Sequence, residues 1–107
     1  MEDALGTVHD CENLEEVRHN IDRIDRQMIA LIAERGGFVK QAARFKKTTD
    51  DVKAPQRVEW VISKVKELSK ELGASPVIAE KVYRTMISAF IEDELAEHSS
   101  IKNEPKE

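Results

Sequence analysis

Four cations and one acid stand apart from the pattern around them: Arg18, Arg35, Lys46, Arg57 and Glu94. Apolar residues at Leu14, Val17, Ile21, Ile24, Met28, Leu31, Phe38, Ala42 and Phe45 recur at steps of three and four, with one gap, which is a heptad-like helical stripe. Arg35 fills that gap, four residues after Leu31 and three before Phe38. A cation on an apolar seam costs free energy unless something pairs with it. It is held by a structural carboxylate, snorkels out past the adjacent Gly36-Gly37, or binds an anion. Lys46 follows eleven residues later, which on one helix is about 20° round and about 16 Å along. Two long cationic side chains at that spacing can lean towards one small anion between them. Alternatively, Lys46 complements the dipole at a helix C-terminus.

Arg57 follows Pro55 in the first turn of a second helix, where a cation opposes the dipole, so another partner should hold it. Glu94 continues an apolar face that runs Tyr83, Ile87, Phe90 on a third helix. A desolvated carboxyl tends towards its neutral form, which donates a hydrogen bond; at a fraying helix end it would be an ordinary hydrated carboxylate. Arg18 lies about 25 Å from Arg35 along the first helix, so one copy of the chain cannot bring both to a small ligand. An antiparallel partner helix can supply Arg18 from a second subunit; taken alone, Arg18 reads as a surface charge. Arg35 and Lys46 together suit the binding of one small anion.

Other chemistry has little support. His9, His19 and His98 show no metal-ligand spacing, so no metal site is expected. No phosphate-binding loop, dinucleotide fingerprint or nucleophile elbow occurs in the sequence. Met28 and Met86 read as core residues and Trp60 as a partly buried packing residue.

Three helices must position these side chains. The first runs from about Leu14 to Lys46, with Asn13 the best N-cap by type. It is kept continuous through Gly36-Gly37 because the stripe resumes in phase, although each glycine costs about 1 kcal/mol against alanine. Lys47 to Lys53 reads as a polar loop. The second helix opens at Ala54-Pro55, turns Val58, Val61, Ile62, Val65, Leu68 and Leu72 inwards, and ends at Gly73. The third follows the Ser75-Pro76 cap and runs to about Glu97, with Val82, Tyr83, Met86, Ile87, Phe90, Ile91 and Leu95 inside. No strand pattern occurs. The expected organisation is a flexible segment 1–11, one helical domain 12–97 and a flexible polar tail 98–107.

The chain has 107 residues, a net charge of −4, 40% apolar and 36% charged residues, and one cysteine. That suits a single folded domain and excludes an intrachain disulfide framework. The acidic balance argues against a general nucleic-acid binder. The short apolar runs argue against a membrane span, and a cytoplasmic setting is expected. A first helix of about 50 Å would overhang a globule of this length, whose diameter is about 35 Å. The simplest cover for its far end is a second copy, giving an intertwined homodimer with antiparallel long helices.

The run Val17-Arg18-x-x-Ile21-Asp22-x-Ile24-Asp25, then Glu34-Arg35, Val39-Lys40-x-Ala42-x-Arg44-Phe45-Lys46 and Pro55-x-Arg57-Val58, resembles the all-α chorismate mutase family over roughly residues 10–96. The resemblance implies an intertwined helical dimer with two identical sites and a dianionic substrate, chorismate or isochorismate. By position, Arg18 of the second subunit and Arg35 would hold the two carboxylates. Lys46 would sit by the breaking ether oxygen and a carboxylate, Arg57 would support the site, and Glu94 would face the ether oxygen. Catalytic roles thus fall to Lys46, Glu94 and Arg35. Mutases of the family often carry Asp-x-x-Arg-Glu where this chain has Ala54-Pro-x-Arg57-Val58; that pattern and the Asp10-Cys11 lead-in look more like the isochorismate–pyruvate lyase branch, which makes salicylate. The helix-three position is often glutamine, and here it is Glu94.

The expected activity is therefore chorismate mutase, rearranging chorismate to prephenate, with isochorismate–pyruvate lyase as the alternative. Both reactions are pericyclic and need no cofactor. A non-catalytic helical dimerisation or regulatory module is the reading from another class. Against it stand Arg35 and Lys46, where a plain coiled coil would place leucine.

Overall fold

A computed structural model describes the backbone of residues 7–102 and the side chains of residues 7–97. The described residues form four helices: α1 Leu14–Ala43, α2 Thr49–Lys53, α3 Pro55–Leu72 and α4 Pro76–Lys102. The described residues include no strand, so the fold is all-α as the periodicity requires. None of these helices is long and apolar enough to cross a membrane. Residues 7–11 carry no helix. The tail expected from His98 starts as helix, because α4 continues to Lys102. The remainder of both expected terminal segments, residues 1–6 and 103–107, lies outside the described residues.

The chain divides into two compact units, Met1–Phe38 and Val39–Glu107. In the first, Asn13 caps α1 as its residue type predicts: its Oδ1 accepts from the Glu16 N–H at 2.8 Å, and Glu16 Oε1 accepts from the Glu12 N–H at 2.8 Å. This is a near relative of the capping box, displaced by one residue on the return bond. The helix passes through Gly36-Gly37 without a break, and an added Cβ at Gly37 would meet nothing within 4 Å. No residue of α1 is buried. Leu14, Ile21, Met28, Leu31 and Phe38 are each about half exposed or more, so the stripe that makes α1 amphipathic is left open along the single chain.

In the second unit, the end of α1 departs from expectation. The N–H groups of Arg44, Phe45 and Lys46 bond to the carbonyls of Gln41, Ala42 and Ala43 at 3.0–3.1 Å, the three-residue spacing of a tightening last turn. Lys46 therefore leaves the helix, and its expected place on the same α1 face as Arg35 does not hold. Phe45 follows it out and is 83% exposed. The polar segment read as a loop contains the one-turn helix α2. Thr48 caps it through a full capping box with Asp51, and its Val52 is buried. Turn propensity hid this helix because all but one of its residues are polar or charged.

Ala54 ends α2 and begins α3 in a left-handed conformation, φ 37° and ψ 59°. The following proline disfavours the right-handed helical region for the residue before it, and Pro55 then occupies the first position of α3. Gly73 ends α3 with φ 81°, and Ser75 caps α4 by accepting from the Ile78 N–H at 3.2 Å. Helices α2 and α3 both pack against α4. Val52, Ile62, Val65 and Ile87 form the buried apolar centre. The surface of the α3–α4 pair is braced by Arg84, which forks onto Glu59 at 2.9 and 3.0 Å and onto Glu80 at 2.8 Å. These bonds hold both carboxyls below their usual pKa and raise that of Arg84. Leu68, Leu72 and Val82, expected inside, are about half exposed or more.

Candidate active site

Two of the five residues singled out by pattern meet. Lys46 Nζ donates to Glu94 Oε2 at 3.3 Å across a separation of 48 residues. Glu94 is 9% exposed and Lys46 23% by side chain. The pair is assembled from both ends by local structure. On one side, the Lys47 and Thr48 N–H groups donate to Asp51 Oδ2 at 3.0 and 3.3 Å, which fixes the backbone just after Lys46. Those two backbone bonds, Lys47 first, hold the Asp51 carboxyl below its ordinary pKa. Buried Val52 anchors the same turn. On the other side, Ile87 is buried on α4 and Glu94 follows it two turns on. The acid thus stays at the edge of the apolar centre, where its burial would be costly without a cation.

Glu94 also lines a cleft of about 310 Å³. Val39, Ala43, Val52 and Phe90 supply its apolar walls; Lys40 in the last turn of α1 and Arg44 just after it add cations, and Asp93 and Glu97 add acids from α4. Its volume is at the lower end of the range for small-molecule sites. Lys40 and Arg44 carried no assigned role in the sequence. Their spacing of four places them on one helical face, but two basic residues at a helix end read equally well as partners of the dipole.

Arg57 has the partner that its position demands. Its guanidinium lies over the Trp60 ring, 4.6 Å from the centroid, within cation–π range, and Lys64 approaches the same ring at 5.6 Å. Trp60 is 52% exposed, so its place is on the surface as a platform rather than in the packing. Arg18 is exposed and Arg35 half-buried, both on α1 in the other unit.

A half-buried Lys46–Glu94 pair beside a cleft, carried on helices alone, places opposite charges at the edge of an apolar centre. The family model for chorismate mutase type II matches residues 17–95, and the chain belongs to that family. It is 29% identical over 91 residues to the isochorismate pyruvate lyase of Pseudomonas aeruginosa, covering 85% of this chain and 90% of that protein. It is 31% identical over 77 residues to the chorismate mutase of Methanocaldococcus jannaschii, covering 71% of this chain and 78% of the relative. A bifunctional chorismate mutase/prephenate dehydratase of Aquifex aeolicus is 34% identical over 84 residues, 75% of this chain and 23% of that longer protein. Family and relatives together support an enzyme with chorismate mutase activity.

Proposed function

We propose that this chain rearranges chorismate to prephenate in a site built around Lys46 and Glu94, completed by Arg35 and by Arg18 of a second copy. The observation that carries the reading is the Lys46–Glu94 bond at 3.3 Å. An ammonium has three protons to donate. Glu94 takes one and fixes the direction of the others, so Lys46 can face a substrate ether oxygen and carboxylate with little reorganisation. Preplaced donors of this kind stabilise the charge that grows on the ether oxygen as its bond breaks, and loss of one typically costs roughly a hundredfold in rate. The apolar cleft walls favour the folded conformer in which the reacting carbons approach. Arg57, stacked on Trp60 in the first turn of α3, supports the site from that helix.

Charge balance argues for the second copy. The cleft presents Lys40 and Arg44 against Asp93, Glu94 and Glu97; even with Lys46 these charges only cancel. A dianion needs the further cations of α1, and Arg18 and Arg35 are about 25 Å apart on that helix. An antiparallel homodimer supplies Arg18 from the other subunit and also covers the open α1 stripe, so that residues 12–97 of two copies complete one another. Cytoplasmic location is part of the same proposal, in keeping with a chain that has a single cysteine and no need of an oxidising compartment.

A specific observation favours a second reading, isochorismate–pyruvate lyase. Ala54 and Val58 flank Arg57 with no carboxylate, and Ala54 is committed to the turn between α2 and α3. Incubating the protein separately with chorismate and isochorismate, and identifying products, decides between them. Prephenate from chorismate at the faster kcat/KM supports the mutase. Salicylate and pyruvate formed faster from isochorismate support the lyase, and no turnover of either leaves a non-catalytic helical module.

A further inference from the structure

The three histidines show no metal-ligand spacing among themselves, yet His9 meets two other donor types. Ligand atoms of His9, Cys11 and Glu16 all lie within 4.8 Å of one another. Cys11 Sγ is 3.9 Å from His9 Nε2, and His9 Nε2 is 3.9 Å from Glu16 Oε2. In a tetrahedral zinc site, bond lengths near 2.3 Å to sulfur and 2.0 Å to nitrogen or oxygen set the ligand atoms about 3.3–3.6 Å apart. Two edges of the triangle are therefore within about half an ångström of closing.

Local structure explains the convergence. His9 and Cys11 lie two residues apart in the non-helical lead-in to α1, close enough for their side chains to meet. Glu16 is in the first turn of α1, and its Oε1 is already engaged by the Glu12 N–H, so Oε2 is turned towards His9. One helical turn on, Asn20 donates from Nδ2 to the Glu16 carbonyl at 3.0 Å and to Cys11 Sγ at 3.7 Å. A donor held against the sulfur is an observation independent of the three ligands, and it is the kind of outer contact that orients a metal-bound thiolate. The His9 and Glu16 side chains are 62% and 42% exposed, which leaves room for a metal to enter and for water in a fourth position.

We propose that His9, Cys11 and Glu16 bind one zinc(II) ion, with Asn20 supporting the sulfur. A mixed N, S and O set with an open fourth position suits zinc better than the all-oxygen preference of magnesium or calcium. The bound ion ties the lead-in to the first turn of α1. None of its ligands belongs to the substrate site proposed above.

The test uses the full-length, tag-free protein titrated with cobalt(II) and then zinc(II) chloride, with competition against a chromogenic chelator. The expected result is one equivalent of cobalt per chain with a thiolate-to-cobalt charge-transfer band, bleached by zinc. Cys11→Ser should abolish the band. His9→Ala and Glu16→Gln should each weaken zinc binding at least tenfold, and Asn20→Ala about tenfold. His19→Ala should change nothing. His9 and Cys11 precede α1, so circular dichroism of their variants should show full helicity. Absence of the band at stoichiometric cobalt, zinc affinity unchanged in Cys11→Ser, or binding only at millimolar zinc overturns the proposal.

Discussion

Replacing Lys46 by methionine keeps most of the side-chain volume and removes the charge that faces Glu94. At 3.3 Å, two unit charges attract by about 5 kcal/mol gross at an effective dielectric constant of 20. Desolvation and side-chain ordering offset most of that, and a hydrogen bond between charged groups retains roughly 1.5–3 kcal/mol. Glu94, at 9% exposed, has little water to replace the lost partner, whereas Lys46 at 23% keeps more. Lys46→Met should therefore destabilise by about 2–3 kcal/mol and Glu94→Gln by about 1 kcal/mol. The double variant should recover about 1.5 kcal/mol of the summed loss, since the pair is then removed together. Urea denaturation at one fixed chain concentration measures these differences, because stability of an assembling chain depends on concentration. In parallel, kcat/KM of Lys46→Met on chorismate should fall about a hundredfold. A coupling below about 0.5 kcal/mol would mean that the two residues do not act as a pair. Unchanged kcat/KM would remove Lys46 from the chemistry.

Light scattering should show a dimer at micromolar concentration; Arg18→Ala and Arg35→Ala should each nearly abolish turnover, and mixed dimers of the two variants should regain part of it, because one intact pocket is rebuilt. Recovery of nothing in mixed dimers shown to form counts against a shared site. The lowered pKa of Asp51 means that its carboxylate stabilises the fold above the ordinary carboxyl pKa, and that this contribution is lost as pH falls from about 4 through the lower folded value. Asp51→Asn should flatten that acid limb in a stability-against-pH series, and an unaltered limb would show that the cap contributes nothing. Ala54→Gly should raise stability by about 0.5 kcal/mol, since relief of the left-handed conformation exceeds the entropy lost with glycine; a lower urea midpoint would contradict it.

The helical class, the Asn13 and Ser75 caps, the Pro55 start and the Gly73 stop were all legible from residue order. Each depends on interactions within a few positions, and those are written in the sequence directly. The anomaly at Glu94 was legible as well, because a charge on an apolar face is visible in the periodicity alone, and Lys46 was singled out by its spacing from Arg35. Their meeting was not. It depends on α1 ending at Ala43, where the backbone tightens before Lys46, and on α2 forming in a polar segment with only Val52 to anchor it. Hydrophobic pattern gives no warning of either: the last turn of α1 tightens within its own backbone, and α2 packs against α4, a distant part of the chain. Arg57 was readable as a cation needing a partner, and the choice of Trp60 three residues on came from the side-chain stacking. The His9, Cys11 and Glu16 cluster was hidden for a similar reason: its donors are spaced by two and by five, and only the passage from the non-helical lead-in into α1 brings them together.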